Sequence, residues 1–343
     1  MKIVMFPSPS GSAYWRMIDP AKYLRKKGLE VKIAENGITE EICKWGDVFV
    51  LHNCIDMKGI ALLYAYQQEK GKKIVSDWDD YIIASKSNPH KKTHDLKKFP
   101  QISKQVLAIS DLVTVTTEYL KEKYLKYNKN VVVLQNSMDL ERWDKPKKKN
   151  TSGFLRIGWA GSLTHLKDIA MIEEPLKRIL KEFPQTQLVI VGDMRFREMF
   201  EGYNKEVMLG VPFDYWPDKL NGLQLDIGLA PLVDNEFNRC KSNIKWQEYS
   251  IAKVPGIYSS IVYEKTTSHI IFDGNIGMTA DTKEQWYQSL KNLIVCSNLR
   301  EDIADHAYSV VGMEFDLKKN INEWYDAYSK LTQQTEDVYI KRQ

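Results

Sequence analysis

Asp226–Ser259 reads DIGLAPLVDNEFNRCKSNIKWQEYSIAKVPGIYS. The apolar run Leu225–Ala230 stops at Pro231 and predicts a buried strand. Lys245–Ile251 has helical spacing, and Gly256–Ser259 is a second short strand. Strand, loop, helix and strand in so short a stretch form a βαβ unit. Its near-continuous apolar strands belong in a parallel sheet covered on both faces.

The same alternation extends both ways along the chain. Upstream, Leu155–Trp159 leads to Gly161 and Ser162, a helix spans about 168–182, and Gln187–Val191 leads to Gly192 and Asp193. Downstream, helical segments close the chain, with Trp286, Trp324 and Tyr325 as packing anchors. Before all of these lies ERWDKPKKKNTSG (Glu141–Gly153), rich in Pro, Lys, Ser and Gly without apolar period, which reads as a linker. A first alternation precedes it. Lys2–Phe6, Val31–Ala34, Asp47–Leu51, Lys73–Ser76, Leu112–Val115 and Val131–Leu134 read as strands, with helices over Tyr14–Lys27 and Ile60–Lys70 closed by Gly28 and Gly71. The expected architecture is therefore α/β, with two Rossmann-like doubly wound parallel-sheet domains in tandem. Residues 1–150 form the first and 151–316 the second, and a helical segment, 317–343, packs back toward the first. Polar residues cluster just past the strand C-termini, where open parallel sheets bind ligands.

Composition narrows the function. The 343 residues are 43% hydrophobic and 27% charged, ordinary globular values for two domains. No apolar stretch reaches the ~18 residues of a spanning helix, and the N-terminal residues lack the pattern of a signal peptide. Cys43, Cys54, Cys240 and Cys296 are scattered without a CxxC pair, which argues against a zinc site or disulfide scaffold and fits a reducing cytoplasm. Charge is uneven: residues 1–150 hold 27 Lys and Arg against 18 Asp and Glu, and the remainder 22 against 27. Within the basic half, Lys86–Lys104 carries six lysines and one acid. Such a stretch either is a solvated loop or concentrates anionic partners such as phospholipid heads, phosphorylated glycans or nucleic acid. His90 and His94 have i,i+4 spacing, but no Glu follows the first, so a zinc-protease reading fails.

The chain resembles the B-type glycosyltransferase fold (GT-B) and, within it, retaining glycosyltransferase family 4. Asp226–Ser259 is similar to the donor block of a bacterial and phage subgroup, with FNxxKSxxKxxEY running from Phe237 to Tyr249. RIGWAGSLTHLKD (Arg156–Asp168), IVSDWDD (Ile74–Asp80), DLVTVTTEYL (Asp111–Leu120) and VVVLQNSMDLERW (Val131–Trp143) resemble its other landmarks, in family order. The resemblance implies two domains facing across a cleft and a nucleotide-diphosphate sugar as donor substrate, with no cofactor and no metal. It implies transfer of the sugar to an acceptor hydroxyl with retention of configuration.

In that frame Glu248 is the ribose-binding carboxylate. A diphosphate needs helix-terminal N–H groups and fixed positive charge, which Lys241 and Ser242 offer in the loop before the Glu248 helix. Gly161, Ser162, His165 and Lys167 form a second such corner. Where the family has a first glutamate and an arginine, this chain has Cys240 and Ser162, so the first glutamate's role is not carried over, and Lys245 is the substitute for the missing arginine. On the acceptor side stand the PSPSGS loop with Gly11 and Ser12, His52 after a strand, and Asp77, Asp79 and Asp80. The aspartates have two readings: a DxD-like metal and diphosphate site, or acceptor-facing carboxylates, with the second Rossmann half favouring the latter. The expected catalytic set is Asp79, Asp77, His52 and Lys241.

The expected acceptor is anionic: an envelope polysaccharide or lipid-linked glycan at the inner membrane face, reached by peripheral membrane contact, or alternatively modified DNA bases. No obligate protein partner is called for. Two other readings remain, a sugar-nucleotide epimerase, which needs no acceptor, and a non-catalytic nucleotide-sugar-binding module, which would show no donor hydrolysis.

Overall fold

The computed structural model describes residues 1–54, 56–83, 88–89, 99–263 and 275–340, the last seven as backbone only. It divides into two compact units. Unit 1 contains Met1–Ser137, the short segment Cys240–Ser242 and the C-terminal helix Leu317–Ile340. Unit 2 contains Met138–Arg239 and Asn243–Asp316.

Unit 1 is built on a six-stranded sheet. Its strands are β1 (Lys2–Phe6), β2 (Glu30–Ile33), β3 (Val48–His52), β4 (Lys73–Trp78), β5 (Leu112–Val115) and β6 (Val131–Val133). All pair in parallel, in the order β2-β1-β3-β4-β5-β6. Every residue of β3, VFVLH, is buried, as a strand covered on both faces requires. Leu317, Ile321, Trp324, Tyr328 and Leu331 of the C-terminal helix recur at helical spacing and join the core of this sheet.

Unit 2 repeats the plan with β7 (Leu155–Ala160), β8 (Thr186–Gly192), β9 (Lys205–Leu209), β10 (Ile227–Ala230), β11 (Gly256–Tyr258) and β12 (Met278–Thr279). They are parallel and ordered β12-β11-β10-β7-β8-β9. Ile157, Leu188, Ile190, Ile227, Leu229 and Ile257 form one apolar core with Leu176 and Ile179 of helix Glu173–Glu182 and Trp286 and Leu290 of helix Lys283–Val295. Thr282 and Gln285 close a capping box on the latter.

Three differences from the sequence reading have physical causes. The helix expected over Tyr14–Lys27 opens with a π-helical turn, Tyr14–Ile18, and continues as an α-helix over Asp19–Lys26. The wider turn carries Arg16, which is wholly buried. The helix expected over 168–182 is two, Leu166–Met171 and Glu173–Glu182, broken at Ile172. The chain also enters unit 2 at Met138, before the Lys- and Pro-rich stretch. That stretch is tied down by unit 2: Lys147 Nζ donates to the Lys253 carbonyl at 2.8 Å, and Asn150 Nδ2 donates to Asp226 at 2.6 Å. Most of the basic Lys86–Lys104 stretch, with His90 and His94, lies outside the described residues. Among the described residues no helix is long and apolar enough to cross a membrane.

Candidate functional site

In unit 2 the strand order reverses between β7 and β10, and open α/β sheets bind ligands at such a point, beyond the strand C-termini. A cavity of about 180 Å³ lies there, lined by residues 159–162 at the end of β7, His165, residues 229–232 at the end of β10, Lys245 and Tyr263. Gly161 turns the chain out of β7 and is held by its N–H to the Val191 carbonyl at 3.0 Å. Gly192 makes this possible, because a Cβ there would overlap the Gly161 carbonyl.

Helix Ile244–Ile251 supplies the charged wall. Lys245 and Glu248, three residues apart, share one face. Lys245 Nζ donates to Glu248 Oε2 at 3.0 Å. Glu248 is only 3% exposed, so its carboxylate is held rather than solvated. Below the helix, Tyr249 fills the space left by Gly228 and donates its hydroxyl to the Leu229 carbonyl at 3.1 Å.

In unit 1 the order reverses between β1 and β3. The serine loop follows β1, and His52 ends β3. Ser8 Oγ lies 3.0 Å from His52 Nδ1, and the Ser8 N–H also points at Nδ1, at 3.4 Å. On its other side the ring presents Nε2 to Asp79 Oδ1 at 3.3 Å and to Asn53 Nδ2 at 3.1 Å. Asn53 Nδ2 donates to the same oxygen at 2.6 Å. Ser8, Ser10 and Ser12 are chained through hydroxyl contacts of 2.8 Å, and Ser12 bonds to Asp79, which closes a ring of serines, histidine and carboxylate. Burial by itself raises the Asp79 pKa. The hydrogen bonds and charge of His52, with the bonds from Asn53 and Ser12, outweigh it and hold the carboxyl well below the usual range. Asp79 is thus anionic at every physiological pH.

Asp77 occupies a different environment. It is wholly buried, and Arg16 grips it with Nε to Oδ1 at 2.9 Å and Nη2 to Oδ2 at 2.6 Å. Thr114 Oγ1 adds a bond of 2.6 Å. Both oxygens are engaged inside the sheet, so the expectation that Asp77 faces an acceptor gives way to a structural role. Asp80 pairs with Lys241 at 3.3 Å. Ser242 Oγ accepts from Asn136 Nδ2 at 2.9 Å, and Thr117 Oγ1 donates to the Cys240 carbonyl at 3.2 Å, so Cys240–Ser242 is anchored within unit 1.

No protein-family model and no curated protein matches the chain. Solved structures do. Sucrose-phosphate synthase from Thermosynechococcus elongatus is similar with a TM-score of 0.68 at 12% identity, over 97% of this chain and 100% of that one. A glycosyltransferase from Rickettsia africae gives 0.71 at 14% identity, over 96% and 98%. HepE from Anabaena, solved with UDP-glucose, gives 0.71 at 11% identity, over 96% and 100%. The fold is GT-B.

Of the residues picked out in the sequence, the GT-B structure gathers Gly161, Ser162, His165, Lys245 and Glu248 in unit 2, and Ser12, His52 and Asp79 in unit 1. Lys167 stands exposed on helix Leu166–Met171, and Gly11 is exposed in the serine loop. Arg16 and the junction role of Asp168 were not foreseen; Ser8, within the PSPSGS loop, and Asn53, which with His52 follows a strand and was expected to contact a sugar hydroxyl, join the Asp79 network. Asn53 has a φ of 47°, a left-handed backbone that Asn tolerates and that places its amide on Asp79. Asp168 binds His165 Nδ1 at 2.8 Å. Among the described residues no three His, Cys, Asp or Glu side chains cluster as a metal site.

Proposed function

We propose that this chain is a nucleotide-sugar-dependent glycosyltransferase of the retaining type, resembling family 4. The observation that carries the reading is the unit 2 cavity at the β7/β10 reversal, lined by a glycine corner and by Lys245, whose ammonium pairs with the buried Glu248. Glu248 accepts from the ribose hydroxyls. The Gly161–Ser162 amides, His165, Lys167 and Lys245 of unit 2 hold the diphosphate. Catalysis comes from stabilising that diphosphate as it departs while the anomeric carbon gains oxocarbenium character. Asp79, fixed as an anion by His52, Asn53 and Ser12, orients an acceptor or sugar hydroxyl. UDP is the favoured nucleotide, because HepE was solved with UDP and with UDP-glucose, and an alpha-glucosyltransferase with UDP.

A thermal-shift screen with UDP-, GDP-, ADP- and CMP-sugars tests this. A ligand at 100 times its Kd stabilises by about 2.7 kcal/mol, a rise of several degrees in a domain of this size. A UDP-sugar is expected to give that rise, and no response to any of the four would end the reading. The acceptor is proposed to be an anionic glycan or lipid-linked glycan met at a membrane surface, because residues 1–150 are strongly basic. Binding to anionic vesicles that falls steeply with salt, with no matching affinity for duplex DNA, is the expected result. The reverse preference would favour a nucleic-acid acceptor.

A further inference from the structure

Asp168 is 4% exposed and sits in the first turn of helix Leu166–Met171. Its Oδ1 accepts from the Val233 N–H at 2.8 Å and from Asn238 Nδ2 at 2.9 Å. Its Oδ2 faces His165 Nδ1 at 2.8 Å. The two Oδ1 donors are neutral. A buried carboxylate without a counter-charge is costly. Among the described residues the imidazole of His165, at 2.8 Å, is its ion-pairing group. The same carboxylate therefore favours a protonated His165 and fixes its ring, with Nδ1–H on Asp168. It also staples two loops that sequence keeps far apart, the corner after β7 and the segment 233–238 after β10.

His165 lines the cavity with Gly161, Ser162 and Lys245. Titratable and charged groups near it include Asp168 on the helix that follows it, Lys245 and Tyr263 of the cavity wall, and Glu248, which pairs with Lys245. Lys245 opposes protonation of His165, but Glu248 at 3.0 Å offsets its charge. Burial pushes the Tyr263 hydroxyl well above its usual pKa, so it stays neutral.

We propose that Asp168 is a positioning residue that holds His165 as an imidazolium against the diphosphate of the bound nucleotide sugar, so that donor affinity depends on one proton at His165. This rests on the donor reading above. The arrangement supplies a cation where the chain has Ser162 at the Gly161 corner.

The test uses the full chain and two readouts. The first is the imidazole titration of His165 by NMR without ligand, its resonance assigned among the six histidines by its loss in His165→Gln. The midpoint is expected above that of an exposed histidine, and lower by ~1 unit or more in Asp168→Asn. The second is calorimetric binding of UDP-glucose between pH 6 and 8.5, a ligand whose diphosphate has no proton titrating in that range. Wild-type affinity is expected to weaken about tenfold or more as pH rises, as loss of one charge-assisted hydrogen bond to the diphosphate would require, and His165→Gln is expected to be weak and flat. A wild-type midpoint at or below that of an exposed histidine, or a pH dependence that survives in His165→Gln, overturns the proposal while leaving donor binding intact. Wild-type protein that binds no nucleotide sugar at any pH overturns the donor reading and the ligand half of this one, and the NMR midpoint still decides the Asp168–His165 pair. His165→Gln keeps the bonds of Asp168 to Val233 and Asn238, so it carries the binding arm if Asp168→Asn does not fold.

Discussion

Asp77→Ala is expected to lower stability by about 3–5 kcal/mol, because it leaves a buried guanidinium without its counter-ion. Arg16 is wholly enclosed. Its Nη1 reaches the Leu134 carbonyl and, at 3.1 Å, Asn136 Oδ1, and its guanidinium stacks on the Trp324 ring at 4.6 Å. Those contacts need the charge of Asp77 to make burial tolerable. The arginine joins the π-turn, β4, the segment after β6 and the C-terminal helix, so the loss should appear as an earlier urea transition of unit 1. Adding Arg16→Met to Asp77→Ala is expected to recover part of the loss, since an apolar side chain carries no desolvation penalty. Asp79→Ala should behave differently. Its carboxylate lies just beyond the end of β4 and is partly open to solvent, and no buried cation depends on it, so stability should fall by only about 1.5–3 kcal/mol, the worth of hydrogen bonds to a charged group, while turnover collapses. If Asp77→Ala unfolds within 1 kcal/mol of wild type and loses activity instead, Asp77 belongs with the substrate and the structural assignment fails.

That contrast shows what the sequence could and could not tell. The doubly wound architecture was legible because buried parallel strands are runs such as VFVL and LVIV, and few other structures use them. Strand ends were less legible, and here two residues change a role. Lys73–Ser76 reads as the apolar strand, which leaves Asp77, Asp79 and Asp80 as one exposed cluster. In the structure β4 continues to Trp78, which places Asp77 inside a sheet covered on both faces and Asp79 just beyond it. The partner that permits this, Arg16, lies 61 residues away in a helix whose π-turn no periodicity announces. Asp168 was hidden for a similar reason. Read as the start of one long helix, it is a solvated first-turn acid. The break at Ile172 and the bonds to Val233 and Asn238, 65 and 70 residues on, make it a junction. Lys245 and Glu248 were each singled out, but as separate ligands, and the structure pairs them because i and i+3 on a helix share a face.

Glu248→Ala is expected to weaken UDP-sugar binding by roughly 10²-fold while leaving the ligand-free fold nearly intact. A hydrogen bond to a charged group contributes about 1.5–3 kcal/mol, so each ribose hydroxyl that Glu248 accepts from accounts for roughly a tenfold to 160-fold loss. Stability should change little. Lys245, the partner left behind, has a third of its side chain in solvent and can hydrate, unlike Arg16 after loss of Asp77. Glu248→Gln is the sharper variant. It retains one acceptor oxygen and the shape of the residue but loses the charge, so an affinity between those of wild type and Glu248→Ala would show that the carboxylate, rather than the volume it fills, holds the nucleoside. Calorimetry on the three proteins gives the order directly. Equal affinities would mean that the Glu248 carboxylate, buried and held by Lys245, serves only its own helix, and the ribose would have to be sought elsewhere along the C-terminal edge of the unit 2 sheet.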